Sequence, residues 1–140
     1  MWKLGRRIIT NSKNVLQAKQ AGDIAEETAF RFLVRKGLRL IAKNYRCYQG
    51  EIDLIMHDIK VNELVFVEVR FRKNCEYGDA VESIDEKKIK RIIKATHHFL
   101  QSKDWLFSVH SRFDVIAIHP MKGKMQIEWI KYAFSEDEYE

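Results

Sequence analysis

The sequence predicts an α/β domain in which a mixed central β-sheet is flanked by helices. Apolar residues recur every three or four positions in two separate segments, which is the period of a helix with one buried face. Between and after these segments lie apolar runs bounded by polar breaks, which is the pattern of strands. The 140 residues, of which 46% are hydrophobic and 32% charged, suffice for a single domain with its own core.

The two helices are predicted from their apolar stripes and end signals. The first spans residues 13–36, has a charged opposite side, and stops at Gly37. Its apolar positions are Val15, Ala18, Gly22, Ala25, Ala29, Phe32 and Leu33. The second follows residues 83–86, where Ser-Ile-Asp-Glu has the form of a capping box. Its predicted buried stripe is Ile89, Ile92, Ile93, Thr96, Phe99 and Leu100.

Five strands complete the predicted sheet. Three precede the second helix and form a meander, and two follow it, separated by Pro120 and Gly123. Residues 73–82 are predicted to form a mobile polar loop, while residues 1–12 and the acidic tail at 135–140 are predicted to be flexible. The predicted strands are residues 38–45, 51–57, 63–72, 113–119 and 125–132.

Composition narrows the class of protein. A formal net charge of +5 and a pI of about 9.2 favour anionic partners, although solvated surface charge explains them equally well. The longest uncharged stretch, residues 95–102, is too short to span a membrane, and no secretory signal is evident, so we expect a cytoplasmic protein without a membrane partner. Cys47 and Cys75 lack a CxxC spacing and are expected to be reduced, and a zinc site with His57 or residues 97–98 is the less favoured alternative.

Acidic residues interrupt two strands where apolar residues belong. A carboxylate inside a central strand costs free energy unless a partner satisfies it, and such a cost usually marks a site. Strand alternation places Glu68 and Arg70 on one face of the strand predicted at residues 63–72. Asp53 lies on a matching face of the strand predicted at residues 51–57. If the strands are neighbours, Asp53 and Glu68 form a paired oxygen site suited to a hard divalent cation. The two runs are GEIDLI at residues 50–55 and LVFVEVR at residues 64–70.

The order of the motifs resembles that of the YraN family, the uncharacterised protein family 0102 of small bacterial proteins. The resemblance covers the chain from about residue 20 to residue 134. The family looks like the restriction-endonuclease fold, which archaeal Holliday-junction resolvases and nucleases of the PD-(D/E)xK type share. The matching positions are Gly22-x-x-x-Glu26 with Ala29, GEIDLI at 50–55, FVEVR at 66–70, Lys88 with Arg91 before Ala95, and Arg112-Phe113-Asp114.

The resemblance implies roles for four residues. In that fold a glutamate from the first helix, an aspartate and an E-x-K on adjacent strands assemble around Mg²⁺. By position, the resemblance implies Glu26 as the helix acid, and Asp53 and Glu68 as ligands of Mg²⁺ or Mn²⁺. Arg70 stands where the family usually has lysine. A guanidinium stays protonated, so Arg70 can clamp a phosphate but cannot take a proton from water.

Two functions follow from the acids and the resemblance. The first is a metal-dependent endonuclease or resolvase-like enzyme that hydrolyses DNA phosphodiesters, because a cation held by carboxylates can activate water against phosphorus. The second is a non-catalytic module that binds branched DNA without cutting it, since Arg70 replaces lysine. Resolvases of this fold act as two-fold dimers, so we expect a homodimer by analogy. The candidate catalytic residues are Glu26, Asp53, Glu68 and Arg70.

The second helix carries a basic side opposite its apolar stripe. Cations on one helix face are candidates for contacts with DNA phosphates, although a solvated surface is the simpler interpretation. The candidate nucleic-acid-binding residues are Lys87, Lys88, Arg91 and Lys94.

Each candidate acid also has a structural interpretation. Asp53 can be a strand-end residue that backbone amides cap or that pairs with Arg46. Glu68 can form a same-face ion pair with Arg70. A helix glutamate such as Glu26 is often solvated, so both interpretations of it stay open.

Five further residues are interpreted as structural. Glu51 lies near the start of its strand. Arg112 and Asp114 flank a phenylalanine on a strand and are expected to support the sheet, with Asp114 kept as a weaker site candidate. Tyr45 and Tyr48 could stack on bases, but packing is the preferred interpretation.

Overall fold

The computed structural model describes residues 2–72, 80–106 and 108–139, with side chains from residue 17 onward. These residues form one five-stranded sheet and two helices, which confirms the predicted mixed α/β architecture. None of the described helices combines the length and apolarity that crossing a membrane requires. The elements are α1 (Trp2–Arg35), β1 (Leu38–Cys47), β2 (Gly50–Asp58), β3 (Glu63–Phe71), α2 (Glu86–Ser102), β4 (Ser111–Met121), β5 (Lys124–Phe134) and a 3₁₀ turn (Glu136–Tyr139).

The strands lie in chain order, β1-β2-β3-β4-β5. The first three are antiparallel neighbours, as the predicted meander requires. β3 and β4 are parallel, and a parallel pair needs a long crossover, which α2 provides. β4 and β5 form an antiparallel hairpin closed by Gly123, whose φ of +75° suits a residue without Cβ. The ladder shifts register near Leu40 in β1 and again between β4 and β5.

The sheet buries an apolar core on each face because strand side chains alternate. On one face the predicted stripe of α2 is buried throughout, and Phe99 packs against Phe66. On the other face Ala25, Ala29 and Leu33 of α1 are buried against the sheet. Small alanines let α1 approach the strands closely, so the sheet lies between its two helices.

The ends of the chain differ from the prediction. α1 begins at Trp2 rather than at residue 13, since no proline interrupts the helix before Arg35. Its buried stripe is shorter than predicted, because Ala18 is exposed. The predicted disordered tail instead forms the 3₁₀ turn, in which the Ser135 N–H donates to Glu138 at 2.9 Å and Tyr139 packs on Phe134.

The entry to α2 also differs from the prediction. Asp85, not Ser83, caps the helix, because its Oδ1 accepts from the Lys87 N–H at 2.7 Å. The Ser83 hydroxyl is turned away and donates to the Ala80 carbonyl at 2.6 Å. Most of the predicted mobile loop, at 73–79, lies outside the described residues, together with Cys75; Ala80 is buried.

Candidate active site

Asp53 and Glu68 lie where the ladder between β2 and β3 ends. The last paired residues are Leu54 and Val67, one position away from each acid. Beyond that point a carboxylate replaces a main-chain acceptor, since Asp53 Oδ2 accepts from the Val69 N–H at 2.8 Å. Glu68 is 4% exposed. The structure therefore brings the two acids together, and a backbone amide also caps Asp53, as its structural interpretation required.

Burial and crowding raise the pKa values of three carboxyl groups. Burial, followed by the charge of Asp53, raises the pKa of Glu68 to about 7. Burial is also the main cause that raises the pKa of Asp53. On α1, burial and then the charge of Asp53 raise the pKa of Glu26, which places this helix acid beside the pair. Glu26, Asp53 and Glu68 are called the acidic centre below.

Lys88 reaches the acidic centre from α2. Its Nζ lies 2.6 Å from Glu68 Oε1, and 41% of its side chain is exposed, against 3% for Glu68. From the sequence, Lys88 was predicted to lie on the basic side of the helix, opposite its apolar stripe. It lies four residues before the buried Ile92 and seven before the buried Ala95, so it continues the apolar stripe. That spacing is the signal that could have assigned Lys88 to the inner face.

The other candidate cations lie around this centre. The Arg70 guanidinium donates from Nη2 to the Ser83 carbonyl at 3.3 Å, and its charge acts against the rise in the pKa of Glu68. The direct ion pair of Glu68 is thus made with Lys88 and not with Arg70, the partner in its structural interpretation. The remaining three residues of the predicted basic face are exposed; these are Lys87, Arg91 and Lys94.

The acidic centre offers carboxylate oxygens, the ligand type that a hard divalent cation prefers. In the described part of the chain, no group of three or more His, Cys, Asp or Glu side chains is arranged to hold a metal ion by itself. Mg²⁺ commonly binds through one or two carboxylates and completes its shell with water and phosphate oxygens. Oε1 of Glu68 is buried, and its partner among the described residues is the Lys88 ammonium at 2.6 Å. Asp53 and Glu68 therefore fit a two-carboxylate site that substrate would complete.

The aromatic candidates on β1 and its turn have different environments. Tyr45 packs edge-on against Phe99 and its hydroxyl contacts His98, which confirms the packing interpretation. Tyr48 has a relative exposure of 103%, so the expectation that it packs is wrong. Arg46 pairs with Glu51 at 3.4 Å rather than with Asp53.

The residues of the zinc alternative are engaged elsewhere. His97 pairs with Glu136 at 2.6 Å, His98 contacts Tyr45, and His57 bonds with Asn62 at 2.9 Å. Each of these histidines therefore contacts a different partner.

A second polar cluster is buried at the start of β4. Arg112 is the centre of three ion pairs: Nε lies 3.0 Å from Asp114, Nη1 3.2 Å from Glu63, and Nη2 3.0 Å from Asp58. Asp114 also accepts from the Trp129 indole at 2.9 Å. The cluster links four strands, β2 to β5, which agrees with the predicted structural role of Arg112 and Asp114. Its acids Asp58 and Glu63 were missed because they resemble ordinary strand-end charges in the sequence.

Gly50 brings the turn between β1 and β2 against α2. A Cβ built on Gly50 would lie 2.6 Å from the Arg91 carbonyl oxygen and 3.0 Å from its carbon. Real Cβ atoms do not approach backbone this closely, so only glycine permits the contact.

Replacing Gly50 by alanine is expected to destabilise the protein by about 1 to 3 kcal/mol, because the turn must move off the helix. Urea unfolding measures the effect. Gly22→Ala is the matched control: nothing lies within 4 Å of its Cβ, so it should stabilise α1. Equal stability of Gly50→Ala and the wild type would mean that the turn does not rest on α2.

The fold and the site define a class: an α/β protein whose mixed sheet holds a pair of acids, of which the buried one is contacted by a lysine from the crossover helix. Residues 25–118 match the uncharacterised protein family UPF0102, and the chain belongs to this family. The matched region contains the whole acidic centre and Lys88. The family resemblance inferred from the motifs is thereby confirmed.

Similar proteins occur in several bacteria. A UPF0102 protein of Nitrosococcus oceani is 43% identical over 116 residues, covering 83% of this chain and 92% of that one. One from Saccharophagus degradans is 44% identical over 119 residues, covering 85% and 96%. Among solved structures, Pyrococcus furiosus SfsA in complex with Ca²⁺ is similar with a TM-score of 0.38 and 14% identity, over 81% of this chain and 63% of that chain.

Proposed function

We propose that the chain is a metal-dependent endonuclease with a restriction-endonuclease-like, resolvase-like fold that hydrolyses DNA phosphodiesters. The observation that carries this proposal is the buried Glu68, which lies beside Asp53 and has Lys88 Nζ at 2.6 Å. Buried acids with raised pKa values and a specific charge partner are typical of functional sites.

The energetic cost of the acidic centre supports a functional role. Glu68 and Asp53 are close enough for each to affect the ionisation of the other, so part of their negative charge is uncompensated. Apolar residues at these two strand positions would pack without that cost. A divalent cation would neutralise the pair. Cation binding would therefore account for acids at these two positions, whereas packing does not.

Roles for the residues follow from their positions. Asp53 and Glu68 would hold Mg²⁺ or Mn²⁺, with Glu26 beside them. The cation, when bound, would polarise a phosphoryl oxygen and lower the pKa of the attacking water. Arg70 would hold a phosphate oxygen through its fixed charge. Lys88 has a mobile ammonium that can follow the charge on Glu68 or turn to a phosphate.

The exposed cations of α2 support DNA as the substrate class. Lys87, Arg91 and Lys94 lie on the helix that also carries Lys88, so a phosphate chain along this face would lead to the acidic centre. The net charge of +5 acts in the same direction.

A non-catalytic DNA-binding module is the second candidate function. It is favoured by the contact between Lys88 and Glu68, because an ammonium already occupies a carboxylate oxygen that a cation would need. Arg70 also favours it, since arginine cannot take a proton from water. In this alternative the cations bind DNA and the acids only orient them.

Cleavage assays separate the two functions. Purified wild type, Asp53→Asn and the surface control Glu128→Gln would be incubated with a labelled four-way junction, a flap and a linear duplex, each in Mg²⁺, Mn²⁺ or chelator. The nuclease requires cleavage that needs metal, is lost in Asp53→Asn and persists in Glu128→Gln. DNA binding without cleavage under any metal would select the module, and cleavage that resists chelator would reveal a contaminant.

Arg70 provides a sharper prediction for the nuclease. Arg70→Ala should raise the barrier to cleavage by about 2 to 4 kcal/mol, the effect of losing a donor to developing phosphate charge. Arg70→Lys should keep or raise the rate, because lysine retains the charge and can also transfer a proton. Single-turnover rates with Mg²⁺ measure both. Equal loss in the two variants would show that guanidinium geometry, not charge, is required.

A further inference from the structure

Tyr48 is a large aromatic residue without a packing role in the described chain. It lies in the turn between β1 and β2 and is fully exposed, with a relative exposure of 103%. Tyr45, three residues earlier, packs against Phe99 and shows what a structural tyrosine looks like here. An exposed ring gains no free energy from burial, so core packing does not account for a tyrosine at this position.

The turn forms one wall of a groove against α2. The groove has a volume of about 440 Å³, and its lining includes Tyr48, Arg46, Lys88 and Arg91. Glu51 also lines it and pairs with Arg46 at 3.4 Å, and Lys88 pairs with Glu68 at 2.6 Å, whereas Arg91 forms no ion pair with another described residue. A groove with cations on its wall and an aromatic ring at its rim matches the requirements of a nucleic acid strand.

The groove adjoins the acidic centre through Lys88, and its wall packs against α2. Lys88 lines the groove and also lies 2.6 Å from Glu68, so a strand in the groove reaches the acids. The contact of Gly50 with the Arg91 carbonyl holds the turn against α2. The turn that carries Tyr48 therefore packs on the same helix that carries Lys88.

We propose that Tyr48 stacks on an unpaired base of a DNA strand whose phosphates follow this groove to the acidic centre. Within a duplex each base face is covered by its neighbours, so a protruding tyrosine reaches a base only where the strand is unpaired. The ligand is thus DNA with a single-stranded element, such as a flap, rather than continuous duplex. The inference rests on the DNA substrate of the proposed function and is independent of cleavage.

Binding measured in chelator tests the inference without cleavage. Fluorescence anisotropy would compare a 5′-flap DNA with a duplex of equal length for wild type, Tyr48→Phe and Tyr48→Ala. Tyr48→Ala should weaken flap binding about 5- to 150-fold, the effect of losing one stacked base, and leave duplex binding unchanged. Tyr48→Phe should bind as the wild type does, since the ring is retained. Tyr132→Ala removes an exposed ring from the opposite edge of the sheet and should have no such effect.

A spectroscopic probe distinguishes stacking from a general loss of affinity. With 2-aminopurine placed at the unpaired positions of the flap, wild type and Tyr48→Phe should quench its fluorescence at one position, and Tyr48→Ala should not. Equal weakening of flap and duplex by Tyr48→Ala, no weakening of either, or no DNA binding by the wild type would each overturn the inference. Flap binding that depends on Tyr48 would uphold it even if metal produced no cleavage and the nuclease proposal failed.

Discussion

Replacing Arg112 by methionine is expected to lower the free energy of unfolding by about 3 to 5 kcal/mol, because it leaves buried carboxylates without their cation. Arg112 has 2% of its side chain exposed and faces Asp58, Glu63 and Asp114. Asp114 is 0% exposed, so water cannot replace the lost guanidinium. Methionine fills similar volume, and the loss would therefore report the unpaired charge rather than a cavity.

Urea unfolding with a matched control would measure this effect. Arg46→Met removes an arginine whose partner is Glu51, in a pair with side chains 75% and 57% exposed, and should cost less than about 1 kcal/mol. If Arg112→Met does not fold, Arg112→Lys retains the charge but not the three-way fork, and should show an intermediate loss. A loss in Arg112→Met no larger than that in Arg46→Met would mean that the cluster contributes nothing to stability.

Glu68→Gln is expected to stabilise the protein at pH 8 by about 3 kcal/mol, because Glu68 pays for its burial when ionised. The pKa of Glu68 is raised by burial and by Asp53 to about 7 from an ordinary value of 4.5. Between these values the folded protein binds more protons than the unfolded chain, so stability falls as the pH rises from about 4.5 to 7. Glutamine resembles the protonated acid and removes this fall. The advantage of the variant should therefore disappear near pH 4.

Unfolding free energies between pH 4 and pH 8 check the prediction. Glu27→Gln is a control of opposite sign, since hydrogen bonds from Arg31 and Lys43 lower the pKa of this exposed acid. Relative to the wild type, Glu27→Gln should become less stable as the pH rises from acid to neutral, because glutamine cannot gain the charge that Arg31 and Lys43 stabilise. If the difference in unfolding free energy between Glu68→Gln and the wild type were the same at every pH, the ionisation of Glu68 would not be linked to folding.

Local periodicity predicted much of this fold. The meander of β1, β2 and β3, and the buried stripe of α2, follow from the spacing of apolar residues. The proximity of Asp53 and Glu68 followed as well, because two strands joined by a short turn must pair. These features depend only on residues close together in the chain.

Long-range charge pairs were not predictable in the same way. Lys88 and Glu68 are brought together only by the docking of α2 on the sheet. Arg112 meets Asp58 across a sequence separation of 54 residues. Charged residues are rarely buried unless they are paired. When the partner is not known from the sequence, a charged residue is therefore predicted to lie on the surface. The predicted capping role of Ser83 was wrong for a related reason. Asp85 is an equally good N-cap residue and lies closer to the start of α2.

The two register shifts in the sheet fall on its outermost strands, β1 and β5, which have open edges. In β1 the extra residue is Ile41, and in β5 the extra residues surround Tyr132, whose N–H donates to Asp114 at 3.1 Å. A bulged edge cannot offer an unbroken row of hydrogen-bonding groups to another chain. The bulges therefore disfavour edge-to-edge aggregation, and we expect the predicted homodimer to form through the helices or turns rather than by extending the sheet.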